Sequence, residues 1–134
     1  MIFGGRNFTN YQLMHEILDS IYNNQIIKVI SGRASGGDEL GERWAKEHGH
    51  EIIPCEPDWK KYGRGAGFIR NTSMVDLLEE DDEAIGFWDK ISTGTKDTIN
   101  KLRKKSKNYI IFSFNGDVIF DFRRNMETLS LHEL

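Results

Sequence analysis

Apolar residues follow two alternating patterns along the chain. In five short segments they are consecutive or nearly so and include many β-branched side chains, which is typical of buried strands. Between these segments they recur every three or four positions, which predicts amphipathic helices. The strand-like segments are residues 2–3, 26–30, 51–54, 84–88 and 109–114. Strand, turn and helix recur in this order, so the sequence predicts an α/β fold with an open, mostly parallel sheet and helices on both faces.

The pattern changes after the fifth strand-like segment. Asn115-Gly116 is a strong signal for a two-residue hairpin turn, and an antiparallel strand is expected to follow it. We therefore predict a C-terminal hairpin over about residues 108–123. The hairpin contains four phenylalanines, Phe112, Phe114, Phe120 and Phe122. Because side chains alternate along a strand, these phenylalanines are expected on both faces of the hairpin. One face can pack on the domain and the other on a second subunit, so we expect a homo-oligomer.

Composition narrows the class of protein. We expect one domain over residues 1–134, and the net charge of −3 offers no basic field for nucleic acid. Cys55 is the single cysteine, so an internal disulfide is excluded. No apolar run reaches the length of a membrane span, and the first residues lack the features of a signal peptide. A cytoplasmic protein is expected, with neither membrane nor nucleic acid as its partner.

Three glycine-containing turns each follow a strand-like segment and precede a helix. They lie at residues 4–6, 32–38 and 92–95. Parallel strands end at one edge of a sheet, so these turns are expected to converge where α/β sheets bind nucleotides. Their backbone N–H groups and hydroxyls suit a phosphate. The candidate ligand-binding residues in these turns are Gly4, Gly5, Arg6, Gly32, Ala34, Ser35, Gly36, Asp38, Ser92, Gly94 and Thr95.

Each of these residues also has a plainer interpretation. The glycines can serve only to make tight turns, and Ser92 can be an ordinary helix cap. Asp38 can hold a ribose, orient an arginine, or simply favour the positive end of a helix dipole. The sequence leaves these alternatives open.

Residues 59–71 are the most distinctive segment, with aromatic, basic and glycine residues leading into a helix. The segment includes much of a long loop predicted over residues 54–67, and long loops inside compact domains are usually functional. Arg70 is the first candidate for clamping a phosphate through its planar fork. The alternative is a surface arginine paired with Asp76 or Glu79.

Further candidates are an amide and two aromatic side chains. Asn71 can bond a ribose hydroxyl or the loop backbone. Trp59 and Trp88 lie in or beside the candidate loops, where either can stack on a base or pack in the core. Trp44 is expected in the core because it lies at helical spacing from Leu40.

Four short motifs, in order, resemble the YspA-like branch of the SLOG superfamily. They are Gly-Gly-Arg-Asn-Phe at residues 4–8, Gly-x-Ala-x-Gly-x-Asp at 32–38, Trp59…Gly63…Ala66-Gly67…Arg70-Asn71…Met74, and Phe87-Trp88-Asp89…Ser92-x-Gly94-Thr95. The superfamily groups DNA-processing DprA proteins with the Lonely Guy cytokinin-activating enzymes. The resemblance covers about residues 2–112. It implies a Rossmann-like fold and a nucleotide or nucleotide-derived ligand, including signalling molecules of the ADP-ribose kind.

One departure from the superfamily bears on catalysis. Lonely Guy enzymes carry Pro-Gly-Gly-x-Gly-Thr-x-x-Glu, and alignment on Gly94-Thr95 puts Thr98 in place of the catalytic glutamate. Cleavage of an N-glycosidic bond needs a carboxylate near the ribose. Asp97 is one position away, and a helix turns it about 100° aside. We therefore assign no catalytic residue and expect the protein to act without catalysing a reaction.

The leading interpretation is a protein that binds a nucleotide-derived ligand, either ADP-ribose-like or a cyclic nucleotide, and senses or sequesters it without a cofactor. The alternative is an enzyme that cleaves an N-glycosidic or phosphoribosyl bond, using Arg70 and a carboxylate such as Asp38 or Asp97. A third interpretation, a module for single-stranded nucleic acid, requires salt-dependent binding and is disfavoured by the net charge. No metal site is expected, because no ligand spacing relates His15, His48, His50 and His132.

Overall fold

The computed structural model describes residues 1–23, 25 and 27–124. The strands are β1 (Ile2–Gly4), β2 (Lys28–Ser31), β3 (Glu51–Pro54), β4 (Glu83–Phe87), β5 (Asn108–Phe112) and β6 (Val118–Asp121). The helices are α1 (Tyr11–Ile21), α2 (Gly37–Glu47), α3 (Trp59–Tyr62), α4 (Ala66–Leu77) and α5 (Thr93–Lys104). One turn of 3-10 helix, Gly63–Gly65, separates α3 from α4. Ile26, predicted to begin the second strand, and His132 lie outside the described residues.

The strands form two hydrogen-bonded groups. The larger sheet has the order β1-β4-β5-β6, with β1, β4 and β5 parallel and β6 antiparallel to β5. The smaller group is the parallel pair β2-β3. β2 contacts β1 without a backbone ladder between them. The neighbour order is therefore β3-β2-β1-β4-β5-β6, which confirms the mixed, mostly parallel, Rossmann-like α/β fold and its C-terminal antiparallel pair.

Apolar side chains are buried in two clusters, one on each face of the sheet. Helices α1 and α2 contribute Met14, Leu18 and the predicted core residue Trp44 to the first. Helices α4 and α5 contribute residues of the second, which include Met74, Val75, Ile99 and Leu102. Neighbouring strand residues alternate between the clusters, because side chains along a strand point to opposite faces. Helices on both faces hold the turns at the carboxyl edge of the sheet in place.

The prediction of a long loop over residues 54–67 is wrong in its second half. Helix α3 begins after Asp58, whose side chain accepts a hydrogen bond of 3.1 Å from Lys61 N–H. Gly63 ends it with a φ of 56°, and α4 then begins at Ala66, before the predicted start. Local capping therefore converts the glycine-punctuated segment into two helices separated by a single tight turn.

The C-terminal hairpin is present, but its turn is longer than two residues. Strand β5 ends at Phe112 and β6 begins at Val118, so five residues connect them. Ser113 N–H donates to the Asp117 carbonyl at 2.7 Å, and only Gly116 of the Asn-Gly pair has a positive φ, 89°. A two-residue type I′ turn needs a positive φ at both positions, which explains why that prediction fails.

Of the described helices, none combines the length and the apolar content needed to cross a membrane.

Candidate functional site

A cleft of about 390 Å³ opens at the carboxyl ends of β1 and β4. In the observed strand order this is where the chain connections diverge, the position at which open α/β sheets bind ligands. The predicted residues that line it are Gly4, Arg6, Ala34, Asp38, Trp59, Arg70, Asn71, Ser92, Gly94 and Thr95. The structure thus brings the three predicted turns together with helix α4. Their roles toward a ligand remain predictions.

A larger cavity of about 800 Å³ lies at the amino ends of β1, β2 and β4. Its walls mix apolar side chains with charged ones, of which the acidic Glu79, Asp81, Asp82 and Glu83 outnumber the basic Lys28 and Arg123. This acidic character disfavours an anionic ligand, so the cleft at the carboxyl edge is the better candidate site.

Three arginines line the cleft, from three different segments. Arg6 follows β1, Arg64 lies in the 3-10 turn, and Arg70 lies on α4. Arg6 and Arg64 are exposed and, within the described residues, make no side-chain hydrogen bond or ion pair. Arg70 is half-buried; its NH1 group donates to the Gly32 carbonyl and its Nε to Asn71 Oδ1 at 2.9 Å. Arg70 therefore pairs with neither Asp76 nor Glu79. Its guanidinium group is oriented by the Gly32 carbonyl and by Asn71.

Helix α5 presents its N-terminus to the same cleft. Ser92 Oγ caps it by accepting from Thr95 N–H at 3.4 Å, and the first turn contains no acidic residue. The N–H groups of Thr93 and Gly94 precede any intrahelical acceptor, so they are open to an anion. Asp89 shapes the preceding turn by accepting from Ile91 N–H and Ser92 N–H at 2.9 and 2.8 Å. The Ser92 N–H is the main cause of the lowered pKa of Asp89.

Asp38 is the buried carboxyl group of the cleft. Its side chain is 5% exposed, and its two oxygens accept from Gly4 N–H at 3.3 Å and Ala34 N–H at 3.4 Å. Burial raises the pKa of Asp38 to about 6, and the charge of Arg70 opposes that rise. Asp38 therefore joins the turns after β1 and β2 and titrates in a range useful for proton transfer.

Asn71 connects α4 to α5. Its Nδ2 donates to the Gly94 carbonyl at 3.4 Å and to Asp97 Oδ2 at 3.1 Å, while Oδ1 accepts from Arg70. Both amide hydrogens are therefore bonded to protein, so the structure places Asn71 against the loop backbone. Asp97 is not part of the cleft wall and pairs instead with Lys101 at 2.7 Å.

Thr98 is the residue that alignment on Gly94-Thr95 puts in place of the Lonely Guy glutamate. It lines the cleft, is 2% exposed, and donates from Oγ1 to the Gly94 carbonyl at 3.3 Å. A hydroxyl in this place cannot carry the negative charge that stabilises an oxocarbenium ion. The wall that α5 contributes to the cleft therefore has no carboxylate at this position.

The glycines of the second turn serve close packing. A Cβ on Gly36 would lie 2.2 Å from the Gly5 carbonyl oxygen, and one on Gly37 would lie 2.4 Å from Gly4 Cα. A Cβ on Gly32 would contact Asp38 and Arg70 at 2.8 and 3.0 Å. The turns after β1 and β2 are thus pressed against each other. This agrees with the plainer interpretation of tight turns, and α2 has acids in its first turn, which further disfavours a phosphate there.

Five predicted residues lie outside the cleft wall: Gly5, Gly32, Ser35, Gly36 and Trp88. Gly5 and Gly36 form the packed contact just described, and Ser35 is exposed in the turn. Trp88 Nε1 donates to the Ser92 carbonyl at 3.1 Å and the ring packs on the core. Trp88 therefore stabilises the turn before α5 and does not face the cleft.

Trp59 is the predicted aromatic residue that lines the cleft, and it is 55% exposed. Phe68 and Ile91, both exposed, extend this apolar rim. The sequence did not identify these two as site residues, nor Arg64 and Asp89. Arg64 lies within the segment 59–71 that the sequence singles out, so proximity to Arg70 was the available signal. Ile91 carries no such signal, because nothing in sequence distinguishes an exposed loop isoleucine from a core residue.

Three groups that can ligate a metal ion lie together elsewhere. His15, Asp19 and His48 have ligand atoms within 4.8 Å of one another, at the ends of α1 and α2 away from the cleft. Sequence spacing did not reveal this set, because its members come from two separate helices.

The N-terminal part of the chain matches a known protein family. Residues 1–62 match the family model described as YAcAr, the YspA, cpYpsA-related SLOG family. This match confirms the resemblance to the YspA-like branch of the SLOG superfamily, and it includes the turns after β1 and β2. The similarity of residues 1–62 to this family suggests binding or processing of a nucleotide-related ligand.

One curated relative is the Gene 61 protein of Mycobacterium phage D29. It is 36% identical over 52 residues, which cover 35% of this chain and 42% of that protein. The chain thus spans less than half the length of this relative. No solved structure matches the chain significantly.

Proposed function

We propose that the protein binds a nucleotide-derived ligand, ADP-ribose-like or a cyclic nucleotide, in the cleft at the ends of β1 and β4, and senses or sequesters it without catalysis. The observation that carries the proposal is the meeting of three arginines with the open N-terminus of α5. Arginine forks and free helix N–H groups are both suited to phosphate oxygens. The protein has a net charge of −3, so this basic cleft is a local feature.

The shape of the cleft supports the same class of ligand. A volume of about 390 Å³ lies in the range of small-molecule sites. Trp59 offers an exposed ring at the rim, on which a base can stack, while the half-buried Arg70 lies on α4 in the cleft wall. Phosphate groups near Ser92 and a base near Trp59 would place a nucleotide along the cleft.

The first test is native mass spectrometry of protein purified from cells, with identification of any small molecule released on denaturation. We expect an intact nucleotide derivative in stoichiometric amount, and the same spectrum gives the subunit number and so tests the homo-oligomer. A protein that carries nothing and binds neither ADP-ribose nor cyclic nucleotides in calorimetry would overturn the proposal.

Arg70→Lys provides the matched test of the site. It keeps the charge but removes the planar fork, and we expect the affinity for ADP-ribose to fall about tenfold or more. Arg103→Lys is the control, because Arg103 stacks over Phe120 at 5.5 Å and does not line the cleft. Equal affinities of the two variants would place the ligand elsewhere.

A second function is favoured by one observation, the burial of Asp38 beside Arg70. A carboxyl group with a pKa of about 6 can donate a proton to a leaving group near neutral pH, as cleavage of an N-glycosidic bond requires. On this alternative, incubation with AMP or NAD releases a free base, and Asp38→Asn abolishes the release while leaving binding intact. Intact nucleotides after prolonged incubation would exclude it and favour pure binding.

A further inference from the structure

The group formed by His15, Asp19 and His48 lies remote from the cleft. Asp19 lies in the last turn of α1, four residues after His15, and His48 directly follows α2. His48 Nε2 is 2.9 Å from Asp19 Oδ1, and His15 Nδ1 is 3.4 Å from Asp19 Oδ2. Side chains from two helices therefore converge on one carboxylate.

Hydrogen bonding fixes which nitrogen of His48 is available. His48 Nδ1 is 2.8 Å from the Trp44 carbonyl oxygen, which can only accept, so Nδ1 carries the hydrogen. In neutral His48 the Nε2 atom then presents a lone pair. A backbone carbonyl that orients a histidine in this way is the usual outer partner of a metal-ligating imidazole.

The carboxylate faces this lone pair. Asp19 Oδ1 already accepts from Trp44 Nε1–H at 2.9 Å, so it is oriented by the same residue that orients His48. In neutral His48 both Nε2 and Asp19 Oδ1 are acceptors, so at 2.9 Å they repel each other unless a proton or a metal ion lies between them. A proton can bridge only these two atoms, whereas a metal ion can also use His15, which has a ligand atom within 4.8 Å of one on each of the other two residues.

We propose that His15, Asp19 and His48 bind one divalent transition-metal ion of the Zn²⁺ class, linking the ends of α1 and α2. Imidazole and carboxylate ligands suit Zn²⁺, Ni²⁺ and Cu²⁺, and three protein ligands leave further positions for water. The ligand atoms of one such ion lie about 3 to 4 Å apart, close to the separations observed here. The side chains of His15 and Asp19 are each 40% exposed and that of His48 is 29% exposed, so an ion has access from solvent.

The test is calorimetric titration of the tag-free, chelator-treated full chain with ZnCl₂. We expect one site per chain, and a melting temperature that rises as ZnCl₂ is added because the ion binds the folded state. His48→Gln removes one ligand and should weaken binding at least about a hundredfold. Asp19→Asn still accepts from Trp44 but loses the charge, and it should also weaken binding strongly.

The matched control is His50→Gln. The His50 ring lies 5.9 Å from that of His48, but its Nδ1 accepts from Ile27 N–H at 3.5 Å and it is not one of the three ligands. We expect its Zn²⁺ affinity to stay within about threefold of the wild-type value. If His48→Gln folds poorly by circular dichroism, His15→Gln on the exposed face of α1 replaces it. The absence of saturable one-site binding, or equal affinity in wild type and ligand variants, would overturn the proposal and leave a protonated His48–Asp19 ion pair.

Discussion

Two strand-to-helix turns meet at the cleft and differ in almost every respect. The turn after β2, residues 32–38, contains three glycines, leads into a helix with two acids in its first turn, and is packed against the turn after β1. The turn after β4, residues 89–95, contains one glycine, caps its helix with Ser92, and has no acid in the first helical turn. The sequence offers both turns as candidates for binding a phosphate, and in the structure the turn after β4 is the one whose helix start is free of acidic residues.

The structural reason for glycine differs between these two turns. Gly36 and Gly37 mark places where two backbones approach each other, so the space that a side chain would need is already filled by protein. At Gly94 a Cβ would find no neighbouring atom within 4 Å, and both Thr93 and Gly94 are exposed. A ligand site is therefore identified by unused donors at a helix start more reliably than by the number of glycines.

The largest expected effect is a difference in protein stability between glycine substitutions in the two turns. Gly36→Ala would place a Cβ 2.2 Å from the Gly5 carbonyl at a φ of 81°, so we expect the free energy of unfolding to fall by about 3 kcal/mol or more. Gly94→Ala meets no neighbour and should leave stability unchanged or raise it by up to about 1 kcal/mol. Urea denaturation followed by circular dichroism measures both, and equal stabilities would show that the packed turn has room to relax.

A second effect contrasts the carboxyl groups of the two turns. Burial raises the pKa of Asp38 from 3.8 to about 6, so between these values the folded state holds a proton that the unfolded state has lost. The free energy of unfolding then decreases as pH rises from about 4 to 6, by about 2 to 3 kcal/mol for this group. The lowered pKa of Asp89 acts in the opposite direction, because its stabilisation is present above the unfolded pKa and is lost as pH falls.

The variants Asp38→Asn and Asp89→Asn isolate these two contributions. Denaturation from pH 4 to 7 should lose its downward slope in Asp38→Asn and keep it in Asp89→Asn. Carboxyl-carbon NMR titration of the wild type gives the two pKa values directly, and a value near 4 for Asp38 would contradict the expected slope.

The smallest expected effect is a change in the affinity for ADP-ribose when charge is altered at the helix that follows each turn. This prediction rests on the proposed function. Gly94→Asp places a carboxylate at the open start of α5, where an anionic ligand would compete with it, so ADP-ribose should bind about tenfold more weakly. Glu39→Gln removes an acid from the first turn of α2 and should leave the affinity nearly unchanged. Calorimetry on both variants decides, and an unchanged affinity in Gly94→Asp would exclude the α5 start as the anion site.

Much of the fold was predictable because it depends on local patterns. The apolar runs of β3, β4 and β5 and the periodic residues of α1, α2 and α5 sufficed to order these elements along the chain. The segment between β3 and α4 was not predictable in this way, because the capping by Asp58 and the positive φ of Gly63 outweigh its glycine content. The absence of a hydrogen-bonded ladder between β1 and β2 depends on tertiary packing, so it cannot be predicted from the pattern of residues along the chain.

The candidate site was predictable as a location and less so in detail. Turns after parallel strands must meet at one edge, which placed Arg6, Asp38, Arg70 and Ser92 together. The inward packing of Gly36 and the orientation of Trp88 away from the cleft required atomic distances. The same holds for the group of His15, Asp19 and His48, whose proximity arises from the contact between α1 and α2.

The backbone hydrogen-bond ladder is interrupted between β1 and β2, and the buried carboxylate of Asp38 lies beside this gap. The Asp38 carboxylate accepts the N–H of Gly4, the last residue of β1, and that of Ala34, in the turn after β2. Two backbone amide hydrogens from two different turns are thus bonded to a single titratable side chain in the cleft wall. We expect their exchange rates to change with the protonation of that carboxylate and with a ligand bound beside it, which hydrogen-exchange NMR would detect without a label on the ligand.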